Sequence, residues 1–377
     1  MIGSCNCVEI SRAALRHNFE LCRDLASGCA ILAMIKADGY GHGMIECARI
    51  FSSMGASGFG VAETAEGIAL REAGITSPIF IFTGLLPEMI DSVVEHDLRP
   101  VIVDEDCLSL LSAKAESYGR KIEVHIKVDA GMGRQGCGVE DFPGIFEKIC
   151  ALPGLEPGGV LAHFPMSDEL DNTNTSEIFQ KYYRNIILPY RKGRSGNCIF
   201  HIANSGAIFY FPDTHLDMVR PGLMLYGYYP DAAAGRKRAG EGVLLPAMRF
   251  TSRIIQLRRL ESGVGLGYGH TAITHRKTTL ALLPVGYANG YLRSMSSRAE
   301  VLIQGRRVPV VGRVSMNLTM VDVTELDGIA KKGDEVVLLG RQGQEEITAD
   351  EIAAHMGTIS YEVLCLLGNL NQRRYVD

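Results

Sequence analysis

Eight short apolar runs separated by helix-like stretches fill the first two thirds of the chain and constrain its fold more than any other feature. The runs lie at 30–35, 58–61, 79–82, 100–103, 122–128, 158–162, 198–202 and 216–219. Between them, segments such as 63–73, 104–118 and 175–190 repeat apolar residues at three- and four-residue spacing, which suits helices lying on a sheet. Alternation of this kind means parallel strands, and eight units predict a closed (β/α)8 barrel of the TIM type. An open doubly wound sheet is the alternative if one or two strands are miscounted.

After residue 236 the rhythm changes. Runs at 250–260, 278–285, 299–303, 307–311, 319–323 and 335–339 are short, rich in Val, Ile, Leu and Thr, and punctuated by glycines. Residues 301–308 read as a hairpin turning at Gly305. This part is expected to be a mainly antiparallel β domain with one late helix near 349–356. The small, Gly-containing and charged stretch 232–242 suits a linker. The expected division is therefore a barrel over 12–236 and a β domain over 237–377.

Composition excludes several classes. Hydrophobic residues make up 46% and charged residues 21%, too balanced for a disordered chain or a coiled coil. A net charge of −5 offers no basic surface for nucleic acid or an anionic membrane. No apolar run approaches the ~20 residues of a bilayer span. Residues 1–8 carry neither a charged n-region nor an apolar h-region, so a cytoplasmic protein with reduced thiols is expected. Cys5-Asn-Cys7 has no second pair at zinc spacing, and no metal is expected.

On the barrel map the reactive residues fall at one end. Lys36 follows the first run, Arg134 the fifth, His163 ends the sixth, Asn204 and Ser205 follow the seventh, and Arg220 follows the eighth. The carboxyl ends of barrel strands are where catalytic groups gather. Any one of these residues could be a solvated loop charge; the set on one rim argues for a site. A lysine just inside the end of an apolar strand is expected to be partly desolvated, which lowers its pKa and frees the amine for a Schiff base. Ser205 at a helix start, with backbone amides there and at Gly222-Leu223, would cradle a phosphate. An imine-forming lysine beside a phosphate cradle implies pyridoxal phosphate. Gly131-Met-Gly-Arg-Gln-Gly136 matches a dinucleotide fingerprint but sits in the fifth unit, without an acid ending the next strand at the right distance.

These motifs together resemble the alanine racemase family. Ile35-Lys-Ala-Asp-Gly-Tyr-Gly-His-Gly43 is similar to the family's cofactor-lysine motif. Lys127-Val-Asp-Ala-Gly-Met-Gly-Arg134, His201-Ile-Ala-Asn-Ser205, Val219-Arg-Pro-Gly-Leu-Met-Leu-Tyr-Gly227, Gly267-Tyr-Gly269, Leu283-Pro-Val-Gly-Tyr-Ala288 and Val311-Gly-Arg-Val-Ser-Met316 follow in the family's order. The resemblance implies a pyridoxal-phosphate barrel followed by a β domain with which residues 1–11 pair. It also implies a head-to-tail homodimer with shared sites, and interconversion of L- and D-alanine that supplies D-alanine for peptidoglycan. Position by position, Lys36 would hold the cofactor as a Schiff base and act as one base, with Tyr268 of the partner subunit as the other. Tyr40, Ser205, Gly222 and the backbone at Leu223 resemble phosphate ligands, with Asn204 in the same loop. Arg220 resembles the arginine facing the pyridine nitrogen, and His163 the histidine linking Arg220 to Tyr268. Arg134 and the Met316 amide resemble substrate-carboxylate ligands, and Tyr287 a tyrosine narrowing the entrance. Lys127 matches a lysine that family members often carry as a carbamate.

The chemistry asks for the same parts. Racemisation removes a proton from one face of Cα and returns it on the other, which two bases do more simply than one. Tyrosine, with a pKa of about 10, needs nearby positive charge to serve as a base. Two positions depart from the family pattern: Asn317 stands where aspartate is usual, and Asn369 near a usual tyrosine. They leave serine or a broader set of small amino acids as alternative substrates. A decarboxylase on a related fold would place a carboxylate where Arg220 stands, and a non-catalytic pyridoxal-phosphate protein would not need Tyr268 and Met316.

Overall fold

Strands flanked by crossover helices must bury both faces, and these do: every residue of Gly58–Val61 and Ile79–Ile81 is buried. The structure, a computed structural model, describes residues 4–169, 173–191, 198–231 and 243–377. The chain divides into two compact units. Strand β1 (Cys7–Ser11) belongs to the second of them. The first unit holds β2 (Ala30–Met34), β3 (Gly58–Val61), β4 (Ile79–Ile81), β5 (Arg99–Ile102), β6 (Ile122–Lys127), β7 (Leu155–Leu161), β8 (Ile199–His201) and β9 (Met218–Val219).

These eight strands form one parallel sheet in the order β8-β7-β6-β5-β4-β3-β2-β9. The ends meet: Asp217 N–H donates to Phe200 O at 3.1 Å and Arg220 N–H to Ala203 O at 2.9 Å. Sequential order and closure exclude the open doubly wound sheet, whose strand order would reverse. β7 starts at 155 rather than 158, because Pro157 and two glycines disguise its first half.

The second unit comprises the N-terminal segment through Ala14, Tyr40–Gly43, and the chain from Pro246 onward. Here β1 pairs antiparallel with β10 (Met248–Arg253) and parallel with the C-terminal strand Arg373–Val376. The expected run at 250–260 is two strands, β10 and β11 (Gln256–Leu260), which lie in different sheets. The Gly305 hairpin is present, with Gln304 and Gly305 both at positive φ (53° and 73°), the backbone of a primed two-residue turn. The late helix Ala349–Met356 starts at Thr348, whose side chain accepts the Glu351 N–H. A second helix, Ser360–Asn369, follows it, where the sequence suggests one late helix alone. The expected linker 232–242 lies outside the described residues. Among the described residues no helix is long and apolar enough to cross a membrane.

Candidate active site

Lys36 opens a turn that the backbone adopts only under restraint. Ala37, Asp38, Gly39, Tyr40 and Gly41 all have positive φ (54°, 53°, 66°, 54° and 81°). Left-handed backbone costs an L-residue ~1–2 kcal/mol, and runs of it are rare. The Glu66 carboxylate supplies part of the restraint. Its Oε1 accepts the Ala37 and Asp38 amides at 2.7 and 3.4 Å, and its Oε2 those of Ala62 and Glu63 at 2.8 and 3.3 Å. Asp38 Oδ1 accepts the Met44 amide at 2.8 Å, closing the far side.

Five of the expected site residues share one electrostatic neighbourhood on the barrel unit: Lys36, Lys127, Arg134, His163 and Arg220. The burial expected of Lys36 falls instead on Lys127. Lys36 is exposed, since it stands past the strand's last buried residues. Lys127 is 5% exposed, and burial, then Arg134, Arg220 and Lys36, push its ammonium down to about 8. Its Nζ donates to Gln135 Oε1 at 2.7 Å. Arg134 is exposed, at the end of a loop wound around Asp129. Asp129 Oδ1 accepts the amides of Gly131, Met132 and Gly133, and Oδ2 that of Arg134, at 2.7–3.1 Å. The loop's amides are thus spent on its own carboxylate, which removes the dinucleotide reading.

Arg220 is buried without a carboxylate partner among the described residues. Its Nη1 donates to His201 Nδ1 at 2.9 Å, and its Nη2 to Ala162 O and Ile202 O at 2.7 and 3.2 Å. His163 Nδ1 lies 3.4 Å from the same Nη2. Burial pushes Arg220 down to about 10, so it stays charged at neutral pH. Burial and then Arg220 and Arg134 hold His163 well below its ordinary range, so it is neutral.

Ser205 begins the helix Ser205–Tyr210, capped by Asn204, whose Oδ1 accepts the Ala207 amide at 3.1 Å and the Ser167 hydroxyl at 2.6 Å. The buried Ser205 hydroxyl accepts the amides of Gly222 and Met224 at 2.9 and 3.4 Å. Gly222 precedes the short helix that Leu223 opens. The Ser205 hydroxyl thus joins the helix start to the Gly222–Met224 turn.

The remaining candidates lie in the second unit. Tyr40 is buried, with its ring 6.1 Å from that of Tyr361, and burial followed by Tyr361 raises its phenol far above the ordinary value. Tyr287 and Met316 sit on adjacent loops: the Tyr287 amide donates to Ser315 O at 3.1 Å, and the Ala288 amide to Met316 O at 3.0 Å. Tyr268 stands between Gly267 and Gly269, both at positive φ. Tyr268, Met316 and Tyr287 are 72, 56 and 39% exposed. Asn317 and Asn369 are exposed as well. No cluster of metal-ligating side chains occurs among the described residues.

Known proteins match this chain over nearly its whole length. The family models for the alanine racemase N-terminal and C-terminal domains match residues 10–230 and 247–375. The alanine racemase of Syntrophobacter fumaroxidans is 41% identical over 362 residues, covering 96% of this chain and 95% of that protein. The chain belongs to the alanine racemase family. Among solved structures, that of alanine racemase from a D-cycloserine-producing Streptomyces lavendulae matches with a TM-score of 0.93 at 31% identity, covering 100% of this chain and 98% of that one. The alanine racemase of Bartonella henselae, solved with covalently bound pyridoxal phosphate, matches at 0.86 and 25% identity, covering 98% and 99%. Glu66 and Asp129, which the sequence reading does not single out, are explained by their bonds in this structure. Each is a carboxylate serving backbone amides, and that role leaves no spacing motif to recognise.

Proposed function

We propose that the protein interconverts L- and D-alanine with pyridoxal 5'-phosphate as cofactor. The observation that carries this reading is the donor set on the barrel rim. A primary amine suits an aldehyde, Ser205 and its neighbouring amides suit a phosphate, and a buried guanidinium without a carboxylate suits an unprotonated ring nitrogen. When bound, the cofactor supplies the electron sink that makes the Cα proton of an amino acid acidic.

The chain's residues would divide the rest of the work. Lys36 holds the cofactor and moves the Cα proton on one face. Tyr40, Ser205, Gly222 and Leu223 bind the phosphate, with Asn204 fixing the Ser205 helix start. Arg220 directs its charge at the ring nitrogen and disfavours a proton there, which keeps the sink weak and favours prompt return of the proton. Tyr268 of the partner subunit moves the proton on the opposite face, with His163 linking it to Arg220. Arg134 and the Met316 amide bind the substrate carboxylate, and Tyr287 narrows the entrance. Lys127 as a carbamate would place an anion among Arg134, Arg220 and Lys36, in place of a fourth cation; high-resolution density extending past its Nζ tests this, and a bare ammonium refutes it.

In this reading the barrel domain spans 12–236 and the β domain 237–377, residues 1–11 add to the latter, and two chains form a head-to-tail homodimer. The setting is the cytoplasm, where the free cysteines stay reduced and D-alanine feeds peptidoglycan synthesis. The test is direct. Purified protein with pyridoxal phosphate and L-alanine is followed by chiral chromatography, with L-serine in parallel for breadth. Enantiomers have equal free energy, so the expected endpoint is equal amounts of L- and D-alanine. Unchanged L-alanine, or its decarboxylated amine, would overturn the proposal.

A further inference from the structure

Two histidines occupy the middle of the barrel, where aliphatic side chains usually fill the layers. His125 on β6 and His201 on β8 are fully buried, and Phe80 of β4 packs edge-on against His125 with centroids 4.6 Å apart. The rings are linked: His125 Nδ1 lies 2.9 Å from His201 Nε2. At one end His201 Nδ1 meets Arg220 Nη1 at 2.9 Å. At the other, His125 Nε2 meets Glu123 Oε1 at 3.2 Å, and the same oxygen accepts Arg99 Nη1 at 2.7 Å. Arg99 and Glu123 stand at the amino-terminal ends of β5 and β6, opposite the rim that carries Arg220.

Proton counting fixes the direction of every bond. A guanidinium only donates, so His201 Nδ1 accepts and its Nε2 carries the proton. His201 then donates to His125 Nδ1, which leaves the His125 proton on Nε2, pointing at Glu123. Both rings are neutral, in keeping with burial lowering the pKa of each. Burial pushes Glu123 up, but the His125 bond and Arg99 outweigh it and keep the carboxylate ionised.

The neighbouring strand is cut to fit. Between Val124 and His125 the β6–β7 register shifts by a bulge at Gly158. A Cβ on Gly158 would stand 2.2 Å from Glu123 Cγ, and one on Gly159 would stand 2.5 Å from His125 Cε1. Pro157-Gly158-Gly159, which has no part in the rim, is thus the space into which the two side chains fit. Buried polar rings cost stability unless every proton finds a partner, and here each does.

We propose that Glu123, His125 and His201 form a one-way hydrogen-bond chain through the barrel, which holds Arg220 in place from the far end, making Glu123 and His125 positioning residues for the reaction. The proposal rests on the reading that Arg220 faces the cofactor ring. Glu123→Leu tests it. Leucine leaves the His125 Nε2 proton without the acceptor at that end, so nothing there fixes the two tautomers that present His201 Nδ1 to Arg220. The expected result is about a tenfold fall in kcat, of the size that outer partners of metal-bound histidines contribute, with KM for L-alanine little changed and the cofactor absorption band shifted. Unchanged kcat and absorption in a folded variant would overturn it.

A second measurement stands apart from racemisation. Long-range proton–nitrogen spectra of 15N-histidine-labelled holoenzyme should show His125 and His201 neutral and protonated at Nε2. A proton on His201 Nδ1 would overturn the chain, even if Glu123→Leu fails to fold. If wild type racemises nothing, the functional reading fails, while these spectra still decide the chain.

Discussion

The barrel rim and the loops of the second unit carry candidate residues in contrasting settings, largely cross-bonded on the rim and largely exposed on the loops. On the rim, Arg220 is buried and cross-bonded to two carbonyls and a histidine, Lys127 is tied to Gln135, and the turn after Lys36 is held by Glu66. On the second unit, Tyr268 and Met316 present most of their surface to solvent. The rim is pre-organised by its own chain, so its geometry needs no further partner. The exposed tyrosine and methionine would gain theirs only when another surface covers them, which is what a site shared between subunits supplies.

The largest expected effect breaks the rim at its reactive amine. Lys36→Ala should abolish racemisation and borohydride trapping of the cofactor, while circular dichroism stays that of the folded protein. Trapping that persists on another lysine would contradict the assignment. Arg134→Lys comes next. A lysine cannot reproduce the guanidinium fork, so kcat/KM should fall by about 10²-fold, ~2.7 kcal/mol, with the cofactor retained.

Glu66→Ala removes the acceptor of four amides beside the left-handed turn. Urea unfolding should show a loss of ~2–3 kcal/mol, the range for a hydrogen bond to a charged group and the strain it restrains. The smallest effect is a pH slope. Lys127 has a folded pKa near 8 and an unfolded one near 10.5, so between these values the unfolded chain binds more protons. In bicarbonate-free buffer Lys127 therefore disfavours the fold below pH 8, and this penalty is relieved as pH rises from 8 to 10.5. Lys127→Met should flatten that rise in stability.

What could be read from sequence follows from where the constraint lies. The barrel was legible because every crossover forces a new parallel strand, so a regular rhythm survives small errors in the bounds. β7 was blurred because its proline and glycines serve neighbouring side chains rather than strand propensity. The helix Ser360–Asn369 was hidden for want of a side-chain cap, since Ile359 precedes it and offers none. Rim residues were legible as polar outliers at strand ends. Exposure is not: the apolar strand before Lys36 predicts a desolvated amine, but its side chain leaves the strand's buried faces at the turn. Glu66 and Asp129 look like ordinary surface acids until their amide partners are seen.

The comparison between the two regions is tested most directly by mixing defects. Lys36→Ala lies on the barrel unit and Tyr268→Phe on the other. As homodimers, each variant has both sites defective, and Tyr268→Phe should slow proton loss from L-alanine more than from D-alanine. Co-expressed with different tags, half the dimers are mixed under random assortment. In a mixed dimer one site receives both defects, and the other receives intact Lys36 from one chain and intact Tyr268 from its partner. The account predicts that roughly a quarter of all sites recover full activity. Activity no higher than the average of the two homodimers, with mixed dimers confirmed by their tags, would contradict a site built from the barrel of one subunit and the β unit of the other.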